Sequence, residues 1–183
     1  TADAGRTHLA QEEVQNPDYK RFDVIGLNYR MNDISAAIGI GQLERIDEII
    51  SRRIKVGKMY EELFKEFKDF KPQKIPDNCT HVYYTFSVDY QGEKISGIKW
   101  KDIYNKVKSL GGDGFYAVVA VPYLEPALKN KIMNGIKYQE GICPKAEELQ
   151  KRVMCFKTNY RDLDQAKIKL GIISKALDSF GFK

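Results

Sequence analysis

Apolar residues between positions 34 and 70 recur at steps of three and four, the spacing that places side chains on one face of an α-helix. Asn32 or Asp33 can cap the first turn by accepting a hydrogen bond from its free amides. The pattern predicts one long helix that begins after Asp33 and ends near Phe70. Its stripe consists of Ile34, Ala37, Ile38, Gly41, Ile46, Ile49, Ile50, Arg53, Gly57, Tyr60, Leu63, Phe64 and Phe67.

The two ends of this predicted helix differ in side-chain size. Small residues in the first turns permit another backbone to approach closely, and they are Ala36, Ala37, Gly39 and Gly41. The other end carries the rings of Tyr60, Phe64 and Phe67. Because apolar surface of this extent is rarely left in water, we expect both ends to be covered by a further domain or a partner chain.

Beyond Pro72 the apolar pattern changes from helical to alternating. Residues 81–90 set Val82, Tyr84, Phe86 and Val88 against Tyr83, Thr85 and Ser87, which predicts a half-buried strand. Helical spacing returns over residues 98–110 and ends at a pair of glycines, 111 and 112. Residues 115–121 are β-rich and stop at Pro122.

The last third of the chain predicts a short helix over residues 125–130, a helix over 144–151 with proline in its first turn, and a strand over 153–156. A final helix begins at Asp162, with Gln165 completing a capping box. Its apolar face consists of Ile168, Ile172, Ile173, Ala176, Leu177 and Phe180. A long helix followed by a small sheet with flanking helices is an α/β or α+β arrangement.

Composition narrows the class of protein. Of 183 residues 43% are apolar, which is sufficient for a packed core. The 30 Lys+Arg and 25 Asp+Glu are interspersed, so the net charge of +5 indicates a solvated surface and no nucleic-acid stripe. Three scattered cysteines and two histidines lack metal-site spacing, so we expect no metal. Without a signal peptide or a membrane-length apolar run, we expect a cytoplasmic protein.

The loop over residues 25–33 is the first candidate for chemistry, because it places Asn28, Tyr29 and Arg30 just before a helix N-terminus. Asn28 can donate hydrogen bonds to a phosphate, and Arg30 can form a bidentate fork with a phosphate or carboxylate. Alternatively, Asn28 closes a turn and Arg30 pairs with an aspartate. The residues by themselves leave both interpretations open.

A resemblance adds to this picture. Four short motifs together resemble the signature of the DegT/DnrJ/EryC1/StrS family of sugar aminotransferases. They are the run Gly26-Leu27-Asn28-Tyr29-Arg30-Met31, two alanines at 36–37, Gln-Leu at 42–43 and Arg-Arg at 52–53. Residues 81–84, the Cys-Pro-Lys-Ala-Glu run at 143–147 and the Asp162-led helix also resemble blocks of that family. The similarity extends from about Gly5 to Phe180.

The resemblance implies the C-terminal part of a type I pyridoxal-phosphate (PLP) fold. Residues 1–33 would end the large domain, 34–70 would form a connecting helix, and 71–183 would form the small domain. The family's Schiff-base lysine precedes the Asn28 block, so we expect it upstream of Thr1 and assign no catalytic residue here. This chain alone is then expected to be inactive. Thr1 in place of methionine favours a piece of a longer chain, although loss of a tag or initiator would look the same.

In relatives the asparagine that matches Asn28 binds the phosphate of the neighbouring subunit's PLP, which implies a homodimer with shared active sites. Arg30 would face a sugar or nucleotide-sugar substrate. Tyr123 stands near a position where many relatives carry a histidine, and it either lines the substrate cleft or packs with Tyr83 in the core. We interpret His81 as a hydrogen-bonded strand-end residue, because no Ser, Cys or second His lies near it in sequence.

Three functions stay open at this level. The first is transfer of an amino group from glutamate or glutamine to a keto sugar. The second is PLP-dependent dehydration of a keto sugar, in which histidine replaces the Schiff-base lysine. The third is a non-catalytic module for dimerisation or regulation.

Overall fold

The computed structural model describes residues 31–115 and 120–182, and it begins with two helices, α1 (Asp33–Leu43) and α2 (Ile46–Phe64). Asn32 caps α1 by accepting a hydrogen bond of 2.8 Å from the Ser35 amide. The prediction of one continuous helix to Phe70 was wrong. At the junction the Arg45 amide bonds to the Gln42 carbonyl at 3.2 Å, a tighter turn than an α-helix makes. The stripe is therefore divided between two helix axes.

The two helices differ in burial. No residue of α1 is buried, and Ile34 and Ile38 are 74% and 63% exposed. By contrast, Tyr60, Phe64 and Phe67 lie in the core of this chain, so the expectation that another chain or domain must cover them was wrong. The helix end that carries the large rings is covered by the sheet, whereas α1 stays uncovered within the described residues.

A small antiparallel sheet covers the second half of α2. Its strands are β1 (Phe70–Pro72), β2 (Thr85–Tyr90) and β5 (Val153–Lys157), with β2 in the centre. Phe70 pairs with Tyr90, and Phe86 pairs with Phe156. The rings of Tyr60 and Phe86 stack at 5.0 Å, and those of Phe64 and Phe86 at 5.8 Å. Burial of each such side chain contributes about 1.5–3 kcal/mol, so these rings are the main attachment between α2 and the sheet.

The predicted alternation along residues 81–90 changes phase at its beginning. Phe86, Val88 and Tyr90 are buried as the second half of the pattern predicts. Val82 and Tyr84 are 44% and 81% exposed, however, and Tyr83 is buried. Tyr83 has a positive φ of 48°, which turns the chain before β2 begins. The assignment of Val82 and Tyr84 to the apolar face was therefore wrong.

Four helices flank the sheet, namely α3 (Gly92–Ser96), α4 (Trp100–Ser109), α5 (Pro144–Gln150) and α6 (Leu163–Asp178). The last three confirm the sequence prediction, whereas α3 was not predicted. Gly111, with φ 80°, ends α4, and the Gly112 amide bonds back to the Val107 carbonyl at 2.9 Å. Asp162 caps α6 by accepting from the Gln165 amide at 2.7 Å. The buried face of α6 is Ala166, Leu170, Ile173, Ala176 and Leu177, whereas Ile168 is 65% exposed.

Between α4 and α5 the sequence predicted a β-rich stretch and a short helix. The helix predicted over residues 125–130 is absent. After a 3₁₀ turn at Pro122–Leu124, the chain reaches Asn130, which has a φ of 66° and bonds through its amide to the Tyr138 carbonyl at 2.7 Å, so the chain leaves the helical path there. A short hairpin of β3 (Ile132–Met133) and β4 (Ile136–Lys137) follows instead. Most of the β-rich stretch at 115–121 lies outside the described residues. Within the described ranges, no helix is long and apolar enough to cross a membrane.

Candidate functional site

Asn28 and Arg30, the residues that the sequence favours for a phosphate and a substrate, lie outside the described residues. The structure shows only the start of the helix that follows them. Its capping oxygen belongs to Asn32, so this role does not fall to Asp33. The interpretation of the 25–33 loop as an anion site therefore stays a prediction.

Tyr123, the third predicted site residue, belongs to a hydrogen-bonded cluster around the carboxylate of Glu147. The Tyr123 hydroxyl donates to Glu147 Oε1 at 2.5 Å and accepts from the Cys143 amide at 3.0 Å. The Gly141 amide donates to both oxygens of the same carboxylate, at 2.9 and 3.0 Å. The cluster thus ties the 3₁₀ turn at Pro122–Leu124 to the loop that leads into α5.

The electrostatics of this cluster keep Tyr123 neutral. Burial, followed by the hydrogen bond to Glu147, raises the pKa of Tyr123 to about 12. The hydrogen bond from Tyr123 and the amides of Gly141 and Cys143 lower the pKa of Glu147. At neutral pH the pair is a phenol bonded to a carboxylate, which suits positioning of a loop better than acid–base chemistry.

Neither interpretation of Tyr123 included Glu147 as its partner. The available signal was the Cys-Pro-Lys-Ala-Glu run, whose glutamate lies four residues after Cys143 and so one turn into α5. Tyr83 lies elsewhere, with its ring against His81 and Phe86. Packing between Tyr123 and Tyr83 is therefore not what the structure shows.

His81 and Tyr83 form a second polar cluster, on the side of α2. His81 Nδ1 accepts from the Tyr83 amide at 3.1 Å, in line with a structural role at the start of the strand. The Tyr83 hydroxyl donates to Glu61 Oε1 at 2.5 Å, and Lys58 pairs with Oε2 of the same carboxylate at 2.7 Å. Although partial burial opposes it, these bonds from Lys58 and Tyr83 lower the pKa of Glu61.

A third cluster lies between α2, β5 and α6. The hydroxyls of Tyr60 and Tyr160 approach within 3.4 Å, and Tyr60 also donates to the Lys157 carbonyl at 3.1 Å. The side chains of Lys157 and Lys169 lie 3.6 and 3.4 Å from the carboxylate of Asp113. Burial raises the pKa of Tyr160 to about 12. These contacts connect α2, β5 and the start of α6 with the loop that follows α4.

A PLP pocket would need an enclosed lysine, because the amine that carries the cofactor is activated by desolvation or by neighbouring groups. Every lysine in ranges 31–115 and 120–182 is exposed or half-exposed. The described residues thus do not fit a complete PLP site.

Known proteins resemble this chain both in sequence and in its architecture of two helices, a small antiparallel sheet and flanking helices. The family model for DegT/DnrJ/EryC1/StrS aminotransferases matches residues 5–170. The chain therefore belongs to the DegT/DnrJ/EryC1/StrS aminotransferase family, as the motifs around Asn28 and Cys143 predicted.

One relative in sequence and two solved structures illustrate what this chain is similar to. A GDP-perosamine synthase of Escherichia coli O157:H7 is 46% identical over 66 residues, covering 36% of this chain and 18% of the relative. An aminotransferase from Psychrobacter cryohalolentis has a similar fold, with a TM-score of 0.63, 18% identity and coverage of 88% of this chain and 43% of that one. A variant of the GDP-4-keto-6-deoxymannose-3-dehydratase ColD gives a TM-score of 0.57 and 24% identity, covering 84% and 38%.

The structural comparisons establish the fold alone, and they confirm the predicted fold class. The chain spans less than half the length of each of these three proteins. The activity, substrate and partners of the whole protein are therefore proposals.

Proposed function

We propose that the complete gene product is a PLP-dependent aminotransferase that moves an amino group from glutamate or glutamine to a keto sugar that is linked to a nucleotide. The observation that carries this proposal is the family match over residues 5–170. Relatives named GDP-perosamine synthase and UDP-4-amino-4,6-dideoxy-N-acetyl-beta-L-altrosamine transaminase support a nucleotide-linked substrate. We also propose a homodimer that works in the cytoplasm.

In this proposal PLP supplies the reactive aldehyde that carries the amino group between the two substrates. Asn28 donates a hydrogen bond to the cofactor phosphate of the neighbouring subunit, and Arg30 binds the anionic part of the sugar substrate. Tyr123 contributes by position at the substrate cleft, because its hydroxyl is held by Glu147. We keep the proposed division into the end of the large domain at residues 1–33, a connecting segment at 34–70 and a small domain at 71–183. The helices α1 and α2 form the connecting segment.

An isotope experiment tests the reaction class. The complete gene product, PLP and ¹⁵N-labelled glutamate are incubated with GDP-linked and UDP-linked 4-keto-6-deoxy sugars, and the products are analysed by mass spectrometry. We expect ¹⁵N in the sugar, because amino transfer exchanges the carbonyl oxygen for the labelled amine. A product that has lost a hydroxyl without gaining nitrogen would instead establish the dehydratase. Absence of any product with these and further keto sugars would favour the non-catalytic module.

Subunit mixing tests the role of Asn28. Asn28→Ala should weaken PLP retention by about 1–3 kcal/mol, the cost of losing a hydrogen bond to a charged group. Mixing this variant with one that lacks the Schiff-base lysine should restore activity, because in a heterodimer one site receives both defects and the other receives none. The exposed Asn78→Ala serves as the matched control. If mixtures show no more activity than the average of the parents despite subunit exchange, Asn28 acts within its own chain or only as a turn residue.

A further inference from the structure

Tyr84 is the most exposed large apolar side chain of the described residues, at 81%. It lies between buried Tyr83 and half-buried Thr85, directly before β2. A tyrosine ring in this position would ordinarily turn into the core, since its burial would contribute about 1.5–3 kcal/mol. The structure holds it outside.

The backbone that presents Tyr84 is strained and anchored. Tyr83 has a φ of 48°, a conformation that is unfavourable for a residue with a large side chain. Thr158, which is 1% exposed, donates to the Tyr83 carbonyl at 2.6 Å and approaches the Tyr84 carbonyl at 3.1 Å. Strain of this kind persists only where surrounding contacts enforce it, and it is typical of functional sites.

Arg53 of α2 lies beside the exposed ring. Its guanidinium donates to the Tyr84 carbonyl at 3.3 Å and lies 5.8 Å from the centre of the Tyr84 ring. Arg45 and Arg52 both pair with Glu48. In the described part of the chain, no carboxylate forms such an ion pair with Arg53. The Arg53 guanidinium thus lies next to an aromatic ring and bonds to a main-chain carbonyl.

We propose that Tyr84 and Arg53 form a recognition platform for the nucleoside diphosphate part of the substrate, an inference that rests on the proposed function. The Tyr84 ring provides a face on which a nucleobase stacks, as aromatic side chains do in nucleic-acid sites. Arg53 supplies a planar fork with the geometry of a phosphate group. Anchoring by Thr158 holds the ring ready before the ligand arrives, which reduces the entropy lost on binding.

The test uses the complete gene product and titrates GDP, UDP and dTDP by isothermal calorimetry. Tyr84→Ala should raise the Kd of the best of these nucleotides by about 5- to 150-fold, the range for loss of one stacking contact. Tyr84→Phe, which keeps the ring, should bind within about threefold of the wild type, because stacking does not need the hydroxyl. Arg53→Met should raise the Kd by about tenfold or more and make binding less sensitive to salt, since a charged contact is lost.

Matched controls are Ile95→Ala, which truncates another exposed apolar side chain at 68% exposure, and Arg45→Met, which removes a cation from the same segment. Both should bind like the wild type. Thermal melts and sedimentation of every variant identify losses of folding or assembly.

The proposal is overturned if Tyr84→Ala binds with the wild-type Kd, if none of the three nucleotides binds, or if Tyr84→Ala only separates subunits. Failure of the proposed function is distinguishable from this. Nucleotide binding that depends on Tyr84 while no ¹⁵N enters any sugar would contradict the aminotransferase and leave the platform standing. Incorporation of ¹⁵N with unchanged binding in Tyr84→Ala would do the reverse.

Discussion

Replacing Gly57 by alanine tests whether the packing of Tyr83 against α2 determines how this part of the chain is arranged. Gly57 is buried in the middle of α2, where alanine would ordinarily stabilise the helix by about 1 kcal/mol. A Cβ at this position would lie 2.5 and 2.6 Å from the Cδ1 and Cδ2 atoms of the Tyr83 ring. Carbon atoms in good contact are about 3.5–4.0 Å apart, so the ring must move.

The size of the effect follows from what that movement breaks. Overpacking of a core position costs about 1–3 kcal/mol. Tyr83 cannot shift without weakening its hydrogen bond to Glu61, which adds about 1 kcal/mol. After the helix-propensity gain is subtracted, we expect Gly57→Ala to lower the free energy of unfolding by about 1–3 kcal/mol. At about 2–4 °C per kcal/mol for a chain of this size, the Tm should fall by several degrees.

Urea unfolding followed by circular dichroism measures this change. The matched control is Gly171→Ala in α6, because a Cβ there has no neighbour within 4 Å. That variant should gain about 1 kcal/mol from helix propensity, so the two substitutions should have opposite signs. In a Tyr83→Ala background the clash is absent, and Gly57→Ala should then behave like Gly171→Ala. A neutral or stabilising Gly57→Ala in the wild-type background would refute the reasoning.

Three further predictions concern pH, cofactor and association. Burial raises the pKa of Tyr160 to about 12, above the ordinary value of 10.0. The stability that this group contributes is therefore complete below pH 10 and falls as the pH rises toward 12. In unfolding titrations between pH 9 and 11, Tyr160→Phe should lose less stability than the wild type. The 183-residue chain alone should form no covalent link to PLP, and stoichiometric borohydride labelling of one of its lysines would contradict this. The same chain should associate or bind an apolar dye, because Ile34, Ile38 and Leu43 on α1 are 74%, 63% and 66% exposed; a dye-free monomer in sedimentation would count against it.

Local chemistry explains why much of this protein could be read from its sequence. The cap at Asp162, the glycine that ends α4 and the proline at the start of α5 act over three or four residues, so their signals lie next to the structures they produce. The family motifs around Asn28 and Cys143 were equally direct, and the family match confirmed them. The role of Asn28 remains a prediction.

One missed local signal explains two of the errors. The Asn134-Gly135 pair favours the left-handed turn of a hairpin, and both residues have a positive φ. The sequence therefore contained evidence for the β3–β4 hairpin. The same hairpin explains the missing helix over residues 125–130, because Asn130 has a φ of 66° and its amide bonds to the Tyr138 carbonyl at 2.7 Å.

What only the tertiary structure decided is how segments far apart in sequence share one core. Strand β1 was not foreseen, because three residues carry little periodicity and Phe70 becomes a strand residue only by pairing with Tyr90. Thr158 and Arg53, both distant in sequence, hold the carbonyls beside Tyr83 and Tyr84 and so reverse the alternation that the local pattern predicted. The physical reason is that periodicity records which side chains are apolar, whereas the packing of α2 against β5 determines which of them the core can enclose.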